Sequence, residues 1–528
     1  MPPASSTDSI KPGGWKCVFG CTAEALALYR ISLGILLMIE LVLRFRFLRP
    51  FYSDLGTLPL QFLWPKVDIL YKSICLHCWS GELLVQRVLL SFQVLFALLF
   101  TIGYHSQYMA TISWFLYLSL TLRNTWLNFI LDRYFHYLLW YAIFLPTDNK
   151  YSITRSKCHE NNIHNGTIVS LATIMLKLQV LWLYLDAGFG KWLDPLGGWT
   201  FGYDGVPALD SYARHTLGAR YLYGILGPFG LRLLTPVVVY VEMLSIPIAI
   251  VGSYFANSML VYTAIGLICA LHIGIAITLR NTVLLSLVAC SVCLVFLPLG
   301  WTRACRNLDT KNNGRLSLIS KILILSMAGG CVWLEVFSES CDQSVKHIWS
   351  TVLHNRWNVF VGSEEYVTWE IAPGRLADGS IVDVWGRSNT VDWRLPGTGA
   401  PCTSTARPGR WRSFPYLAGI EGEEGDVLWR YLCDEWNREH DVSHHPETEL
   451  QEFNFFMLQA DVLPNMGFST TRKRLIKSFQ CVEGIGVTVN DNETIFGSVG
   501  STDGNHEQDE NRNGGRDNDS RGGADSEL

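Results

Sequence analysis

The apolar stretch ALALYRISLGILLMIELVL, residues 25–43, decides the fold class of this chain. A helix that crosses a bilayer needs about 20 mostly apolar residues, and this run is long enough. Its apolar residues follow one another without the alternation that a strand of a membrane β-barrel requires. Residues 1–22 are polar and contain Gly and Pro, which does not fit a cleavable signal. We therefore interpret the run as a first transmembrane helix.

Further runs of the same kind follow along the chain, and in lipid such segments must satisfy their own backbone hydrogen bonds as helices. They lie at about 83–103, 107–122, 133–146, 167–186, 232–252, 257–279, 282–299 and 317–337. Only 17% of the residues are charged, against roughly a quarter in average soluble domains. The sequence thus predicts an integral, multi-pass membrane protein, an all-α polytopic bundle of eight or nine transmembrane helices. Lys and Arg are nearly balanced between the two sides, so they do not decide the orientation.

The character of the sequence changes after about residue 340. Apolar and polar residues alternate in VTWEIA and IVDVW on either side of ADGS, residues 377–380, which is typical of two strands joined by a turn. Residues 426–440 have helical periodicity, and residues 452–464 are again strand-like. The tail contains Gly, Asn, Asp, Glu and Ser without core-forming residues, so we expect it to be disordered. We predict a flexible N-terminus (1–22), a transmembrane domain (23–340), a small C-terminal α+β extramembrane domain (341–480) and a disordered acidic tail (481–528).

Several classes of function have no signature in the sequence. The chain has no basic patch with interleaved aromatics, so we predict no nucleic-acid partner. It also lacks the dinucleotide, P-loop, zinc-protease and nucleophile-elbow motifs. Cys75-Leu-His-Cys78 stands alone, whereas a zinc site needs a second pair. A disulfide or two thiols are the alternatives there, and we predict no metal. Three glycosylation sequons, at Asn165, Asn492 and Asn518, matter only if they face a secretory lumen.

Ionisable residues inside the apolar runs mark candidate functional positions. Each costs roughly 2.5–3.5 kcal/mol at the bilayer centre, so such groups usually face the interior of a bundle. Two of them lie near the ends of runs and can reach the headgroups, and Glu40 is expected to pair with Arg44 one turn later. Glu242 and His272 lie deepest, on consecutive helices. Two interpretations of them stay open: a structural polar pair or a functional pair. The full set is Glu40, Lys177, Glu242, His272, Arg280 and Glu335.

Lys191 stands in the segment WLYLDAGFGKWLDPLGGW, residues 182–199, at the end of an apolar run. Two interpretations are open. A lysine just past a helix end commonly extends to the headgroups. A lysine partly removed from water gives up its proton more readily and can act as a base. We expect Gly188 and Gly190 to leave the backbone open around it.

The chain resembles a known family through nine segments. Most specific are YSDLGTLP (52–59) and RLADGSIVD (375–383). The others are ALALYRISLGILLMIELVLRFR (25–46), CLHCWSG (75–81), SLTLRN (119–124), LPTDNKYS (145–152), LHIGIAITL (271–279), RWRSF (410–414) and RYLCDEWN (430–437). Over about 25–465 they resemble the HTTM domain (horizontally transferred transmembrane domain), the membrane part of vitamin K-dependent gamma-carboxylase and its relatives.

The resemblance implies roles for individual residues. AGFGKWL (187–193) stands where the gamma-carboxylases carry an Ala-Gly and then paired lysines. Lys191 matches the second lysine, to which the family assigns the role of active-site base, and Gly190 stands at the first. His272 matches a family histidine at the start of a late helix, and Glu242 falls near an acidic family position. These three residues, Lys191, His272 and Glu242, are the catalytic candidates.

Two features depart from the family pattern. Where the carboxylases place a histidine that assists the base, this chain has Asp132 and Arg133, with His136 a turn later. The region that follows the predicted strands after residue 340 is also much shorter than the lumenal region with which animal carboxylases recognise a propeptide.

The resemblance implies peptidyl-glutamate carboxylation coupled to epoxidation of vitamin K hydroquinone or another reduced quinone, without a metal. A lipid-soluble cofactor explains a site within a membrane bundle, where a carbanion is protected from water. Membrane lipid and a protein or peptide substrate would be the partners, and a eukaryotic chain would reside in the endoplasmic reticulum. The sequence leaves open whether the protein is an enzyme. The alternative is a non-enzymatic HTTM protein that binds a lipid or a partner protein, and a transporter would need repeats that we do not find.

Overall fold

The computed structural model describes residues 14–154, 167–194, 197–214, 216–298, 316–337, 348–357, 359–360, 362–395, 407, 409–413, 419–420 and 422–482. The predicted acidic tail therefore lies almost wholly outside the described residues. Residues 15–22, which we expected to be flexible, form a short helix (Trp15–Phe19) and strand β1 (Cys21–Thr22). Strand β1 pairs with strand β2 (Thr167–Ile168). Packing holds this N-terminal segment in a defined structure, because the side chains of Val18 and Cys21 are buried against the bundle.

Helices account for each of the nine apolar runs. They are α1 (Ala23–Arg44), α2 (Leu83–Ile102), α3 (Ser106–Arg123), α4 (Ile130–Phe144), α5 (Leu171–Leu193), α6 (Leu217–Tyr254), α7 (Ser258–Thr278), α8 (Val283–Val292) and α9 (Leu318–Phe337).

Within the described residues, six helices are long and apolar enough to cross a membrane. These are Ala23–Tyr52, Leu83–Ile102, Leu171–Leu193, Leu217–Tyr254, Ser258–Thr278 and Leu318–Val336. Six such helices in one chain indicate an integral, multi-pass membrane protein. Helices α3, α4 and α8 are not in this set, so a total of eight or nine spans stays a prediction.

Helix α6 is broken inside its length. Gly227 has φ 64° and ψ 177°, a conformation that only glycine adopts at low cost. Pro228 follows it, and the chain resumes helical geometry in a new direction. The apolar pattern predicted a helix at 232–252 and missed the first part, residues 217–226. Thr216 caps this first part through the Ala219 N–H (2.9 Å), and its hydroxyl also donates to the Ile277 carbonyl at the end of α7 (2.7 Å).

The helices pass back and forth between two ends of the bundle. At the N-terminal end, β1 pairs with β2, and the Gly14 N–H donates to the Tyr254 carbonyl at the end of α6 (2.7 Å). At the opposite end, the Tyr71 hydroxyl donates to the Leu122 carbonyl at the end of α3. A C-terminal sheet also contacts the bundle there, through Arg214 and the Leu463 carbonyl (2.6 Å). We call this the sheet end.

The C-terminal region is an α+β unit. Its strands are β3 (Tyr366–Ile371), β4 (Pro373–Leu376), β5 (Ile381–Asp383), β6 (Leu450–Leu463), β7 (Gly467–Phe468) and β8 (Arg472–Gln480). The strand order is β3-β6-β4-β5, and β7 and β8 also pair with β6. Helix α10 (Gly422–Glu439) buries its apolar face, which includes Trp429 and Trp436.

The predicted hairpin across residues 377–380 needs a correction. The turn joins β4 to β5, whereas β3 pairs with β6, with Trp369 opposite Leu458. Alternation shows that each segment is a strand, but it carries no information on which strand lies beside it. The predicted helix at 426–440 and the predicted strand at 452–464 correspond to α10 and β6, and β8 was missed.

Within the described part of the chain, two disulfides lie at the sheet end. Cys75 is bonded to Cys78, which decides between the two alternatives for the lone motif, and Cys433 of α10 is bonded to Cys481 after β8. Among the described residues, no cluster of His, Cys, Asp and Glu is suited to hold a metal ion.

Candidate functional site

Lys191 lies in the last turn of α5 and points into the bundle. Its side chain is only 3% exposed. The ammonium nitrogen lies 3.0 Å from Glu242 Oε2 and 3.1 Å from Oε1, and it faces the ring of Trp199 at 5.6 Å from the centroid. A lysine that extends to the headgroups would be exposed, so that interpretation does not hold for Lys191.

Gly188 explains how Lys191 reaches Glu242. A Cβ atom at this position would lie 2.5 Å from Met243 Cγ and 3.4 Å from Glu242 Cβ. The missing side chain therefore lets α5 approach α6 closely at the height of the ion pair. Our expectation that Gly188 and Gly190 open the backbone was wrong, because α5 continues through both of them to Leu193.

His272 lies on α7 and belongs to the same group of buried polar side chains. Its Nε2 is 2.9 Å from the hydroxyl of Tyr184 on α5. Among the described residues, no partner contacts its Nδ1. The imidazole thus keeps one ring nitrogen available for a ligand, whichever tautomer the Tyr184 contact selects.

A cavity of about 290 Å³ brings the three predicted residues together. Lys191, Glu242 and His272 all line it, at the meeting point of α4, α5, α6 and α7. Most of the remaining described wall is aliphatic or aromatic, and Tyr134 and Tyr184 contribute phenol groups. An apolar pocket with a few convergent polar groups is the usual form of a small-molecule site.

The cavity is open on the side of α6 and α7. Leu234, Val237 and Leu267 line it, and yet each has more than a third of its surface exposed. Both helices are among the six that are long and apolar enough to cross a membrane. A ligand dissolved in lipid could therefore reach Lys191 without leaving the apolar phase.

A segment before β3 closes the cavity at the sheet end, and sequence reasoning missed it. Trp357, Val359 and Phe360 line the wall there. The Trp357 N–H donates to the Asp186 carboxylate, and the indole N–H of Trp199 donates to the Phe360 carbonyl (2.8 Å). No sequence motif marks this segment, because its role comes from contacts with α5 over long sequence separations.

The start of α4, where the sequence resemblance led us to look for a histidine that assists the base, has another role. Asp132 is bound by Arg44 and Arg410, and it does not line the cavity. His136 is buried against Trp114, with 5.2 Å between ring centroids. Ile130 and Tyr134 are the residues through which α4 reaches the cavity.

Three other ionisable residues of the apolar runs have structural partners. Lys177 donates to the carbonyls of Val18 (2.8 Å) and Gly20 (2.7 Å) and so fixes the N-terminal segment on α5. Glu40 forms the expected pair with Arg44, at 2.8 Å. Glu335 pairs with Arg356.

Comparison with known proteins gives no assignment: no family model, curated protein or solved structure matches this chain.

Proposed function

We propose that this chain is a multi-pass membrane enzyme of the HTTM, gamma-carboxylase-like type, in which Lys191 acts as a base on a reduced quinone. One observation carries the proposal: a buried amine, paired with a carboxylate, lies on the wall of an apolar cavity that opens between two membrane-length helices. The sequence resemblance adds the reaction type. Peptidyl-glutamate carboxylation coupled to quinone epoxidation is the activity that we expect.

The residues of the cavity fit a quinone. Aliphatic and aromatic walls suit its ring and tail, and the Lys191 ammonium, the tyrosine hydroxyls and the His272 ring can bond its oxygens. When bound, a hydroquinone supplies a weakly acidic hydroxyl and two electrons for the reaction with oxygen. The opening between α6 and α7 lies where such a lipid-soluble molecule is concentrated.

Lys191 and Glu242 form the proton-handling pair. Both oxygens of Glu242 lie within 3.1 Å of the lysine nitrogen, so a proton can pass from the ammonium to the carboxylate. Both groups are then neutral. No separate charge has to be moved through the apolar cavity, a step that would be costly. The free amine is left beside Trp199, ready to accept the proton of a bound hydroxyl.

His272 and Tyr184 form another part of the cavity wall. Their hydrogen bond fixes the ring of His272 beside the cavity, with Nδ1 available to bond a ligand oxygen. Tyr134 and Trp357 pack edge to face at 4.7 Å and help to exclude water from the amine. A glutamyl side chain of a peptide would enter from the sheet end once the segment of Trp357 and Phe360, which closes the cavity there, moves away from Trp199. In a eukaryotic cell we place this activity in the endoplasmic reticulum.

An epoxidation assay tests the proposal. Detergent-purified protein receives vitamin K hydroquinone, oxygen and bicarbonate, and the epoxide is quantified by chromatography. We expect turnover by the parent protein and its loss in Lys191→Ala and Glu242→Gln. Lys177→Met is the matched control, because it removes another buried lysine of α5 that does not line the cavity. Equal turnover of Lys191→Ala and the parent protein would rule out Lys191 as the base.

Lipid binding without catalysis is the second candidate function. It is favoured by the complete pairing of Lys191 with Glu242 and by the largely apolar wall, which would also accept an acyl chain. Phospholipid that co-purifies with the protein and is not displaced by quinone, together with no epoxide, would support this candidate.

A further inference from the structure

A cluster of three aromatic side chains joins α3 to α4 away from the Lys191 cavity. The ring centroid of Trp114 on α3 lies 5.2 Å from that of His136 and 4.9 Å from that of Trp140, both on α4. None of these three residues lines the cavity. The cluster is therefore separate from the site described above.

Each of the three rings carries a buried nitrogen atom with an unused hydrogen-bonding position. The Nε1 atoms of Trp114 and Trp140 and the Nε2 atom of His136 have no hydrogen-bond partner within the described part of the chain. Buried polar groups in proteins are paired in the large majority of cases, so each exception needs an explanation. Three exceptions on rings in mutual contact indicate a partner from outside the chain.

The contacts of His136 determine which chemical group this partner must offer. Its Nδ1 donates to the carbonyl of Val352, near the end of the short helix Ile348–Leu353, where helix carbonyls lack intrahelical partners. Burial favours the neutral imidazole, so Nε2 is then an acceptor and needs a donor. The two indole N–H groups are donors only and need an acceptor. A hydroxyl group combines both properties.

The surroundings of the cluster fit a lipid. Helices α3 and α4 correspond to the apolar runs at 107–122 and 133–146. Trp114 and Trp140 are only half-buried, so part of each indole is accessible from the outside of the bundle. Ile143, on the same face of α4 as Trp140, is half-buried as well. This apolar strip offers a surface on which a hydrocarbon chain or ring system can lie.

We propose that this aromatic cluster is a second binding site, which takes the hydroxyl group of a lipid alcohol such as a sterol or a linear isoprenoid alcohol. The indole N–H groups of Trp114 and Trp140 donate to the lipid oxygen, and the lipid hydroxyl donates to His136 Nε2. A hydroxyl oxygen has two acceptor lone pairs and one proton, so a single hydroxyl satisfies all three ring nitrogens. The proposal is independent of the proposed function, since it uses no residue of the Lys191 cavity.

Native mass spectrometry of the detergent-solubilised full chain tests the site. The probes are cholesterol and geranylgeraniol, each compared with its methyl ether, which accepts hydrogen bonds but cannot donate to Nε2. We expect one alcohol to bind at least about tenfold more tightly than its ether, because the ether leaves Nε2 unsatisfied. A preference for cholesterol would identify a sterol site, and a preference for geranylgeraniol an isoprenoid site. If each alcohol bound no better than its ether, the proposal would be overturned.

Variants locate the bound alcohol. Trp140→Phe keeps an aromatic ring but removes one N–H donor, so the alcohol should bind about tenfold more weakly. His136→Phe removes the acceptor and should abolish the difference between alcohol and ether. Trp333→Phe is the matched control, since Trp333 is 51% exposed on α9. Gly274→Leu, which narrows the Lys191 cavity, should also bind the alcohol as the parent does. Loss of binding in either control, or unchanged binding by Trp140→Phe, would place the alcohol elsewhere and overturn the proposal.

Discussion

Arg410 forms a two-point ion pair with Asp132: Nη1 lies 2.9 Å from Oδ2, and Nη2 lies 3.0 Å from Oδ1. Arg410 is also 2.6 Å from Glu40 Oε1, and Arg44 binds the same two carboxylates. All four side chains are buried, with two charges of each sign. The C-terminal region therefore supplies one of the two cations that balance the two buried carboxylates of the bundle.

Removal of Arg410 should destabilise the whole protein. Arg410→Met leaves two buried carboxylates to share Arg44, and breaking a buried pair costs about 3–5 kcal/mol. We expect a clear fall in the midpoint of thermal unfolding in detergent. Adding Asp132→Asn should recover part of the loss, because Glu40 and Arg44 then remain balanced. Arg394→Met is the control, since its pair with Asp392 is largely exposed and worth about 0–1 kcal/mol. Similar losses in the two single variants would contradict this.

The helices could be predicted from the sequence because their apolar runs are local. The run at 25–43 matches α1, and the run at 257–279 matches α7, each to within one or two residues. The break at Gly227 was missed because a single glycine in an apolar run is common and does not by itself indicate a kink. Thr216 and Gly218 contact Ile277 at the end of α7 and hold the first part of α6 there, and these tertiary contacts have no local signal in the sequence.

The candidate site was predictable in part. Glu242 and His272 were identified because ionisable residues in apolar runs are costly. Lys191 was identified at the end of its run, and only the family resemblance grouped the three residues, which do line one cavity. Sequence could not show that Trp357 and Phe360 would close that cavity, or that Arg410 would bind Asp132 across 278 positions. Such contacts depend on tertiary packing, which leaves no periodic signal in the chain.

Gly188→Ala should separate α5 from α6 at the ion pair. The new Cβ would lie 2.5 Å from Met243 Cγ and 3.3 Å from the Met243 nitrogen. Overpacking of this kind costs about 1–3 kcal/mol, so we expect lower thermal stability and lower turnover. Met243→Ala in the same chain should restore both, because it removes the obstructing side chain. Gly266→Ala on α7 is the control, since nothing lies within 4 Å of a Cβ there. Normal behaviour of Gly188→Ala would show that the helices can move apart freely.

His77 should make stability depend on pH. Burial lowers the pKa of His77 to about 4 from 6.5, and the Arg123 and Arg44 cations act in the same direction against the Gln86 hydrogen bond. Between pH 6.5 and 4 the unfolded chain binds a proton there that the folded protein does not. The contribution of His77 to the free energy of unfolding should therefore be fully present above pH 6.5. It should decrease as the pH falls towards 4, by up to about 3 kcal/mol.

Thermal unfolding in detergent at a series of pH values checks this. His77→Gln keeps an amide beside Gln86 and Gln93 but removes the titrating group, so its midpoint should vary less between pH 6.5 and 4. His444→Gln, in an exposed loop, should follow the parent protein. A His77→Gln profile parallel to that of the parent would assign the acid sensitivity to other groups.

Gly274→Leu should fill the cavity without disturbing the fold. Gly274 lines the wall on α7, and no atom lies within 4 Å of a Cβ placed there. The leucine side chain would therefore occupy ligand space, and we expect at least about tenfold weaker binding of a quinone, roughly 1.4 kcal/mol. Native mass spectrometry of the detergent-solubilised protein with added menaquinone measures the bound fraction. Gly266→Leu, on the same helix and equally unobstructed but outside the cavity wall, should bind as the parent does. Equal binding by both variants would place the quinone elsewhere, whereas loss in both would indicate that α7 as a whole, and not the cavity, had been disturbed.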